Sequence, residues 1–329
     1  MTMNRQWVLA RRPVGQVRLE DFARIDAEIP VPDLAAGEIL VRNRMLGFDP
    51  AQRGWMDKGT GYMAPMALGE PVRGSAAAEV IASQNPAYRV GRFVRGLFGW
   101  QDYAVVNKVS ETAPILIPED VAPEEALGVL GAASLTAWVG IKTVGGVKSG
   151  DCVLVSGAAG AVGSMVVQIA RLNGARVIGI AGGAEKCRWL VEDYGADAAI
   201  DYRSEDVSAR LAELAPDGVD LFFDNVGGDI LEAAIVLCGS ISGYNDVEPA
   251  PGPRNLSRMI SYRISMQGFI LLDHLDQVPQ ASAELRDWLA AGTLRYRTDI
   301  QHGFEAIPAT FLRLFSGANK GKQLLRLCA

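Results

Sequence analysis

The sequence predicts an α/β protein in which a doubly wound parallel sheet accompanies a smaller β-rich domain. Up to about residue 120, short β-rich runs alternate with clusters of Gly, Pro and Asp, and from about residue 121 strands alternate with helices. The strands of this second part are apolar runs without clean alternation, which is typical of a parallel sheet covered by helices on both faces. We therefore expect a β-rich domain over residues 1–120, completed by about 292–329, and an α/β domain over residues 121–291.

The elements of the β-rich domain are predicted from β-branched and aromatic runs bounded by turn residues. The expected strands cover residues 38–43, 76–82, 93–97 and 103–106. Towards the end of the chain the sequence predicts a helix over 278–291, a short strand near Tyr296, a helix after Phe304 and a last strand over 323–327. The elements after about residue 292 are expected to return to the first domain.

The α/β domain is predicted to contain five strands with helices between them. These strands cover residues 152–156, 176–181, 198–201, 221–224 and 236–242. The first helix between them is expected to end at Asn173-Gly174, and the helix after Ala184 is expected to end at Gly195, because Asn and Gly are common at helix C-termini.

Composition excludes several classes of protein. The chain has 329 residues, of which 49% are hydrophobic and 21% charged, and its net charge of −6 includes no run of five like charges. Such a chain is globular and lacks the basic surface that nucleic acid or an anionic membrane requires. The four cysteines lie far apart, and residues 1–15 contain no apolar run long enough for a signal peptide. We expect a reduced, cytoplasmic protein without nucleic-acid or membrane partners.

A glycine-rich turn follows the first strand of the α/β domain. The sequence from Val153 runs V-L-V-S-G-A-A-G-A-V-G and continues into an apolar helix. In dinucleotide-binding turns one glycine makes the tight turn, a second admits the pyrophosphate and a third allows close helix packing. Gly160 and Gly163 occupy the second and third positions, whereas Ala158 stands at the first, with Gly157 one residue earlier. The strand, turn and helix together predict a Rossmann-type dinucleotide site at Ala159, Gly160, Ala161, Val162 and Gly163.

The end of the second strand favours NADPH over NADH. NAD-binding domains place a carboxylate there to bind the ribose hydroxyls, but this chain reads Ala181-Gly182-Gly183. Lys186 follows at the start of the next helix and suits a phosphate oxygen. Tyr202 adds a hydroxyl, and Arg188 is a weaker candidate for a second cation.

The residue inventory favours metal-free hydride transfer. The chain has two histidines, His274 and His302, and no closely spaced cysteines, so it lacks a set of zinc ligands, and no G-x-S-x-G elbow is present for nucleophilic hydrolysis. Asn225 and Tyr244 follow the fourth and fifth strands, at the edge of the sheet where ligands bind. Asn225 also suits a turn that caps the next helix, and Tyr244 suits a packing aromatic. The residues alone leave these alternatives open.

Several motifs resemble the zinc-independent medium-chain dehydrogenase/reductases of the prostaglandin reductase, leukotriene hydroxydehydrogenase and alkenal/curcumin double-bond reductase type. The resemblance covers nearly the whole chain. It rests on these segments: Tyr62-Met63-Ala64-Pro65, Gly69-Glu70, Leu135-Thr136-Ala137-Trp138, Ala159-Gly160-Ala161-Val162-Gly163, Lys186, Asp224-Asn225-Val226-Gly227-Gly228, Gly239-Ser240-Ile241-Ser242-Gly243-Tyr244-Asn245 and Asn319-Lys320-Gly321-Lys322.

The resemblance implies a distorted, GroES-like barrel beside the Rossmann-type domain, a homodimer, and NADPH-dependent reduction of the carbon–carbon double bond of an enone or enal. It implies that Lys186 and Tyr202 contact the adenosine phosphate and that Tyr244 lies near the substrate carbonyl or the nicotinamide ribose. The other implied cofactor contacts are Asn225, Gly239, Ser240, Ile241, Ser242, Phe269, Ile270, Leu271 and Asn319.

The substrate pocket departs from the family pattern. Relatives usually read Asp-Pro-Tyr-Met-Arg where this chain has Asp49-Pro50-Ala51-Gln52-Arg53, so Ala51 removes a ring and a hydroxyl from the pocket, which Tyr62 is also expected to line. The substrate therefore cannot be taken over from relatives. Two alternatives remain open, an NADPH:quinone reductase of the same superfamily and a non-catalytic NADPH-binding protein.

Overall fold

A computed structural model of the chain describes residues 2–29, 34–59, 63–107, 113–227, 235–237, 245 and 265–327. The chain divides into two compact units. The first comprises the residues up to Gly128 and those from Thr298 onward, and the second is Val129–Arg297. The sequence analysis placed the corresponding boundaries at about residues 120 and 292. No helix in the described ranges is long and apolar enough to cross a membrane.

The first unit consists mainly of antiparallel strands. Its N-terminal strands are β1 (Thr2–Leu9), β2 (Phe22–Ile29), β3 (Ile39–Gly47), β4 (Ser75–Ser83), β5 (Phe93–Gly96), β6 (Tyr103–Val106) and β7 (Ile115–Leu116). β1 and β2 form a two-stranded ribbon. β3, β4, β5 and β7 are successive neighbours in a larger sheet, in which β6 also pairs with β3. Two short helices belong to this unit, α1 (Ala51–Gly54) and α2 (Pro123–Leu127).

The second unit contains a six-stranded parallel sheet. Its strands are β8 (Cys152–Val155), β9 (Arg176–Ala181), β10 (Ala198–Asp201), β11 (Leu221–Asp224), β12 (Ile235–Leu237) and β13 (Met266–Gly268). The spatial order is β10-β9-β8-β11-β12-β13, and the described pairings are all parallel. This order is that of a Rossmann-type sheet, so the predicted fold class is confirmed. The strand order reverses between β8 and β11, where α/β sheets bind their ligands.

The helices of the second unit differ in part from the predicted ones. They are α3 (Ala132–Trp138), α4 (Ala161–Leu172), α5 (Ala184–Arg188), α6 (Val207–Leu214) and α7 (Val278–Ala290). α3 and α5 each continue into a π-helical segment, Val139–Val144 and Trp189–Asp193 respectively. The helix expected to run from Ala184 to Gly195 is therefore a short α-helix followed by a wider turn.

The C-terminal elements belong to the first unit. They are β14 (Thr298–His302), α8 (Ile307–Ser316) and β15 (Lys322–Arg326). β15 lies between β14 and β3 and pairs antiparallel with β3. The short strand expected near Tyr296 begins two residues later, at Thr298.

Each unit has its own apolar core. In the first unit the ring of Trp100 lies 5.1 Å from that of Phe22 and 5.4 Å from that of Phe311, between ring centroids. Phe311 belongs to α8, so the C-terminal segment contributes directly to this core. In the second unit Leu154 and Phe222 from neighbouring strands are buried in the same cluster. Burying one such side chain stabilises the fold by about 1.5–3 kcal/mol.

Candidate dinucleotide site

The turn after β8 is made by Gly157. Its φ angle is +55°, a left-handed conformation that glycine adopts without the steric cost of a Cβ atom. Ala158, which follows, is fully buried, and its amide donates to the carbonyl of Ile180 on β9 at 3.0 Å. The sequence analysis placed the first-glycine position of the fingerprint at Ala158. In the structure Gly157 makes the tight turn and Ala158 anchors it to the neighbouring strand.

Gly163 brings α4 directly against this turn. A Cβ atom at Gly163 would lie 2.4 Å from the carbonyl oxygen of Gly157 and 2.7 Å from the Cα atom of Ala158. Both atoms belong to the backbone, so no side-chain movement would relieve the overlap. Gly163 therefore has the third role of the fingerprint, close packing of helix and turn.

The N-terminus of α4 is open to an anion. Gly160 is its N-cap residue, and no side-chain cap is present there among the described residues. The first amides of a helix lack intrahelical partners, and the helix dipole places positive charge at this end. In this twelve-residue helix those amides belong to Ala161, Val162 and Gly163. Together with the buried Ala159, these residues form a site suited to a pyrophosphate.

A buried polar network joins the turn after β8 to the loop after β11. The Ser156 hydroxyl donates to Oδ1 of Asp224, and both residues are fully buried. The same hydroxyl accepts the amide of Asn225 at 2.9 Å, and the Asn225 side chain donates to the Ser156 carbonyl at 2.8 Å. Asp224 also accepts the amides of Val226 and Gly227, at 3.0 and 2.9 Å. Asn225 is therefore held beside the glycine-rich turn, at the point where the strand order reverses.

The end of β9 is shaped by glycine and covered by an aromatic ring. A Cβ atom at Gly182 would lie 2.8 Å from the hydroxyl oxygen of Tyr202, so the Tyr202 side chain lies over this position. Lys186 is half-buried in α5, and its amide donates to the Gly183 carbonyl at 3.1 Å. The backbone of Lys186 and the side chain of Tyr202 thus both lie beside the glycine pair Gly182 and Gly183.

Phe269 follows β13 and packs under a π-helical turn. Its ring centroid lies 6.3 Å from that of Phe223, in an edge-to-face arrangement. A Cβ atom at Gly140 would lie 2.6 Å from Phe269 and 2.5 Å from Phe223, so Gly140 leaves space for both rings. Ile270 and Leu271 continue from Phe269 and are half-buried. These three residues leave the sheet at its carboxyl edge, where the resemblance places cofactor contacts.

Two of the expected site residues lie in the first unit. Ala51 is half-buried and is the first residue of α1. Asn319 precedes β15, and its side chain donates to the Gly321 carbonyl at 2.9 Å. Further expected site residues fall outside the described ranges: Tyr62, Gly239, Ser240, Ile241, Ser242 and Tyr244. Their roles remain predictions.

Comparison with known proteins identifies the family. Residues 5–114 match a family described as the N-terminal domain of oxidoreductase, and residues 161–287 match one described as zinc-binding dehydrogenase. The chain is 36% identical to the NADPH-dependent curcumin reductase of Escherichia coli over 98% of this chain and 97% of the relative. It belongs to the zinc-independent medium-chain dehydrogenase/reductase family.

Other members of the medium-chain dehydrogenase/reductase family match the chain over its full length. YfmJ of Bacillus subtilis is 43% identical over 99% of both chains. The crystal structure of CurA from Vibrio vulnificus has a TM-score of 0.91 at 38% identity and covers 99% of both chains; the same protein has been solved in complex with NADPH.

The zinc-binding description belongs to the wider family. Within the described ranges of this chain, no group of three or more His, Cys, Asp or Glu side chains is placed to hold a metal ion. Cys152 and Cys187 are half-buried free thiols. Burial raises the pKa of both thiols, so they are protonated near neutral pH.

Three residues that shape this site were not predicted as site residues from the sequence. Ser156 and Asp224 were included only as parts of motifs, although their contact joins the two loops at the reversal of strand order. Arg203 was not considered, yet its Nε atom lies 2.9 Å from the position that a Cβ atom would take at Gly182. The available signal for Arg203 was its place directly after Tyr202, at the end of the third strand of the sheet.

Proposed function

We propose that this protein reduces the carbon–carbon double bond of α,β-unsaturated ketones or aldehydes with NADPH, by hydride transfer to the β-carbon and without a metal. The observation that carries the proposal is the complete dinucleotide turn at Gly157–Gly163, in a chain that is similar over its full length to an NADPH-dependent curcumin reductase. The paucity of histidine and the scattered cysteines of the sequence support a reaction that needs no zinc.

The described residues fit NADPH. Gly163 lacks the side chain that would separate α4 from the turn, and the uncapped N-terminus at Gly160 offers backbone amides to the pyrophosphate. Lys186 and Tyr202 flank the glycine pair after β9, where the 2′-phosphate distinguishes NADPH from NADH. When bound, the nicotinamide supplies the hydride, and the protein supplies orientation and electrostatic stabilisation.

Tyr244 is our candidate for that stabilisation. Hydride addition at the β-carbon of an enone leaves negative charge on the carbonyl oxygen, and the α-carbon is then protonated. A phenol hydroxyl, or a ribose hydroxyl held by it, can donate a hydrogen bond to this oxygen without a metal. Removing one such donor costs about 10²–10³ in turnover, so Tyr244→Phe is expected to lower kcat far more than NADPH affinity.

Ala51 is our candidate for the specificity of the pocket. The segment before it is fixed, because the buried Lys322 donates to the Phe48 carbonyl at 3.1 Å and pairs with Asp49. The side chain of Gln52 accepts the Asp49 amide at 2.9 Å. We infer that this rigid segment presents a small side chain where relatives present a tyrosine, which leaves room for a larger substituent on the substrate.

A panel of acceptors tests this proposal. Oxidation of NADPH would be followed with enones, enals, quinones and simple ketones, each before and after exhaustive dialysis against EDTA. Turnover of enones to saturated ketones that survives dialysis supports the proposal. Turnover of quinones alone would identify the alternative quinone reductase, and tight NADPH binding without turnover of any acceptor would identify a non-catalytic binding protein.

We also propose that the protein is a cytoplasmic homodimer, on the strength of the family resemblance. Light scattering after size-exclusion chromatography gives the mass directly. A single species at twice the 35.2 kDa of the chain supports the dimer, and a species at the mass of one chain would refute it.

A further inference from the structure

Two side chains converge on Gly182 at the carboxyl end of β9. A Cβ atom there would lie 2.8 Å from the Tyr202 hydroxyl oxygen and 2.9 Å from Nε of Arg203. Both side chains therefore cross the backbone of Gly182, and both belong to the turn that follows β10. Lys186 lies four residues after Gly182, and its amide donates to the Gly183 carbonyl at 3.1 Å. The two adjacent loops therefore carry a hydroxyl and two cationic residues at one edge of the sheet.

Asp201 fixes this arrangement. Its Oδ1 atom accepts the amide of Gly183 at 2.8 Å and the amide of Arg203 at 3.0 Å, and its carboxylate also accepts the Ser204 hydroxyl. The two amides lower the pKa of this carboxyl, so Asp201 stays ionised at neutral pH and holds the two loops together. Asp201 thus accepts hydrogen bonds from the protein itself. It differs in this from the carboxylate that binds the ribose hydroxyls in NAD-binding domains.

The guanidinium of Arg203 is available to a ligand. Arg203 is exposed, its Cζ atom lies 6.0 Å from the centre of the Tyr202 ring, and its charge interacts with the neighbouring Asp201 carboxylate. A guanidinium presents a planar fork of donors that matches the oxygens of a phosphate. Arg188, the weaker candidate for a second cation, is exposed at the end of α5. None of its atoms is among the three nearest to a Cβ atom built at Gly182.

We propose that Arg203 is a further specificity-determining residue, which binds the 2′-phosphate of NADPH together with Lys186 and Tyr202. The inference rests on the proposed function, because it requires a dinucleotide at the turn after β8. In this account Gly182 is small so that the Tyr202 and Arg203 side chains can lie against the backbone, beside the phosphate.

Equilibrium titrations with NADPH, NADH, adenosine 2′,5′-bisphosphate and AMP test this assignment. The variants are Arg203→Gln, Arg203→Lys, Lys186→Gln as a positive control, and Arg171→Gln as a matched control. Arg171 pairs with Asp197, which also accepts the amide of Val177 at the start of β9, so this control removes one positive charge at the opposite edge of the sheet.

We expect Arg203→Gln to weaken binding of NADPH and of the bisphosphate about 10-fold, the lower end for a hydrogen bond to a charged group. Binding of NADH and AMP should change by less than about twofold, and Arg203→Lys should restore part of the loss. One outcome would overturn only the role of Arg203: wild type prefers NADPH and Lys186→Gln binds NADPH more weakly, but Arg203→Gln binds NADPH as tightly as wild type. Equal losses for NADPH and NADH would also overturn it, because they indicate a structural role. A wild type that binds both cofactors equally would instead refute the NADPH preference itself.

Discussion

Ser156 donates its hydroxyl hydrogen to Asp224 between the ends of two adjacent parallel strands, with 2.5 Å between the two oxygen atoms. Ser156 follows β8 and Asp224 ends β11, so the bond crosses the position where the strand order reverses. Asp224 accepts two further backbone amides. One buried carboxylate thereby fixes the glycine-rich turn relative to the loop that carries Asn225.

Replacing Asp224 with Asn is expected to destabilise the fold. The amide group of Asn has a single acceptor oxygen, so at least one buried donor loses its partner, at a cost of about 1–3 kcal/mol. Denaturant unfolding measures this loss in the free energy of unfolding, and Ser156→Ala should give a change in the same direction. Ser208→Ala, at an exposed position of α6, is the control. If Asp224→Asn is as stable as this control, the network does not support the site.

Adding a single methyl group at Gly163 is expected to impair both folding and cofactor binding. Gly→Ala normally stabilises a helix by about 0.5–1 kcal/mol, but here the new Cβ atom would overlap the backbone of Gly157 and Ala158, and overpacking of this kind costs about 1–3 kcal/mol. Gly54→Ala is the matched control, because a Cβ atom there meets nothing within 4 Å. Thermal unfolding and NADPH titration of both variants measure whether stability and NADPH affinity decrease. A stabilised Gly163→Ala would show that helix and turn are not in close contact.

Removing the charge of Lys186 is expected to act on NADPH selectively. A charge-assisted contact is worth about 1.5–3 kcal/mol, or roughly 10- to 150-fold in affinity, so Lys186→Gln should weaken NADPH by this factor and leave NADH nearly unchanged. Lys148→Gln is the control, since Lys148 is exposed and precedes β8, at the other end of the strand. Parallel losses of both cofactors in Lys186→Gln would contradict a phosphate contact.

Four strands of the parallel sheet could be predicted closely from the sequence, whereas β13 was not predicted. β9, β10 and β11 have the predicted bounds, and β8 is one residue shorter, because apolar runs bounded by Gly and Asp identify buried strands without information about their partners. The glycine-rich turn was predicted for the same local reason. The conformation of Gly157 was not, since a left-handed φ angle depends on how the turn meets β9.

The remaining elements depend on tertiary contacts. β2 carries three charged residues, and β1 has a polar stretch at Asn4-Arg5-Gln6. Both gain their strand structure by pairing with each other, which their composition does not indicate. The π-helical turn at Gly140 accommodates Phe223 and Phe269, which are distant in sequence. Nothing in the sequence distinguishes Arg203 from other exposed arginines. Its turn lies beside Gly182 only because β9 and β10 pair in parallel.

Glu284 is expected to make stability depend on pH. Burial alone would raise its pKa, but hydrogen bonds from Lys142 at 2.6 Å and Trp138 at 3.0 Å outweigh burial, so the pKa is lowered in the folded state. Because its pKa is lowered on folding, ionised Glu284 stabilises the fold at pH values above its unfolded-state pKa of about 4.3. This stabilisation is lost as the pH falls through the folded-state pKa.

Glu284→Gln should therefore lower the free energy of unfolding at pH 7 by about 1 kcal/mol, with allowance for partial exposure of the pair. The difference from wild type should shrink progressively below about pH 4. Urea unfolding at several pH values measures it, with Glu119→Gln as a control, because Glu119 pairs with Arg92 while 79% exposed. A difference between wild type and Glu284→Gln that is independent of pH would contradict the ionic role of Glu284.

The most direct test of the proposed reaction is the fate of a deuterium label. NADPH carrying deuterium on the transferable position of nicotinamide C4 is incubated with the enzyme and an enone, and the product is analysed by mass spectrometry and NMR. We expect a saturated ketone with deuterium on the β-carbon and a solvent-derived hydrogen on the α-carbon. An allylic alcohol with deuterium on the carbon that bears the hydroxyl group would contradict the proposed reaction.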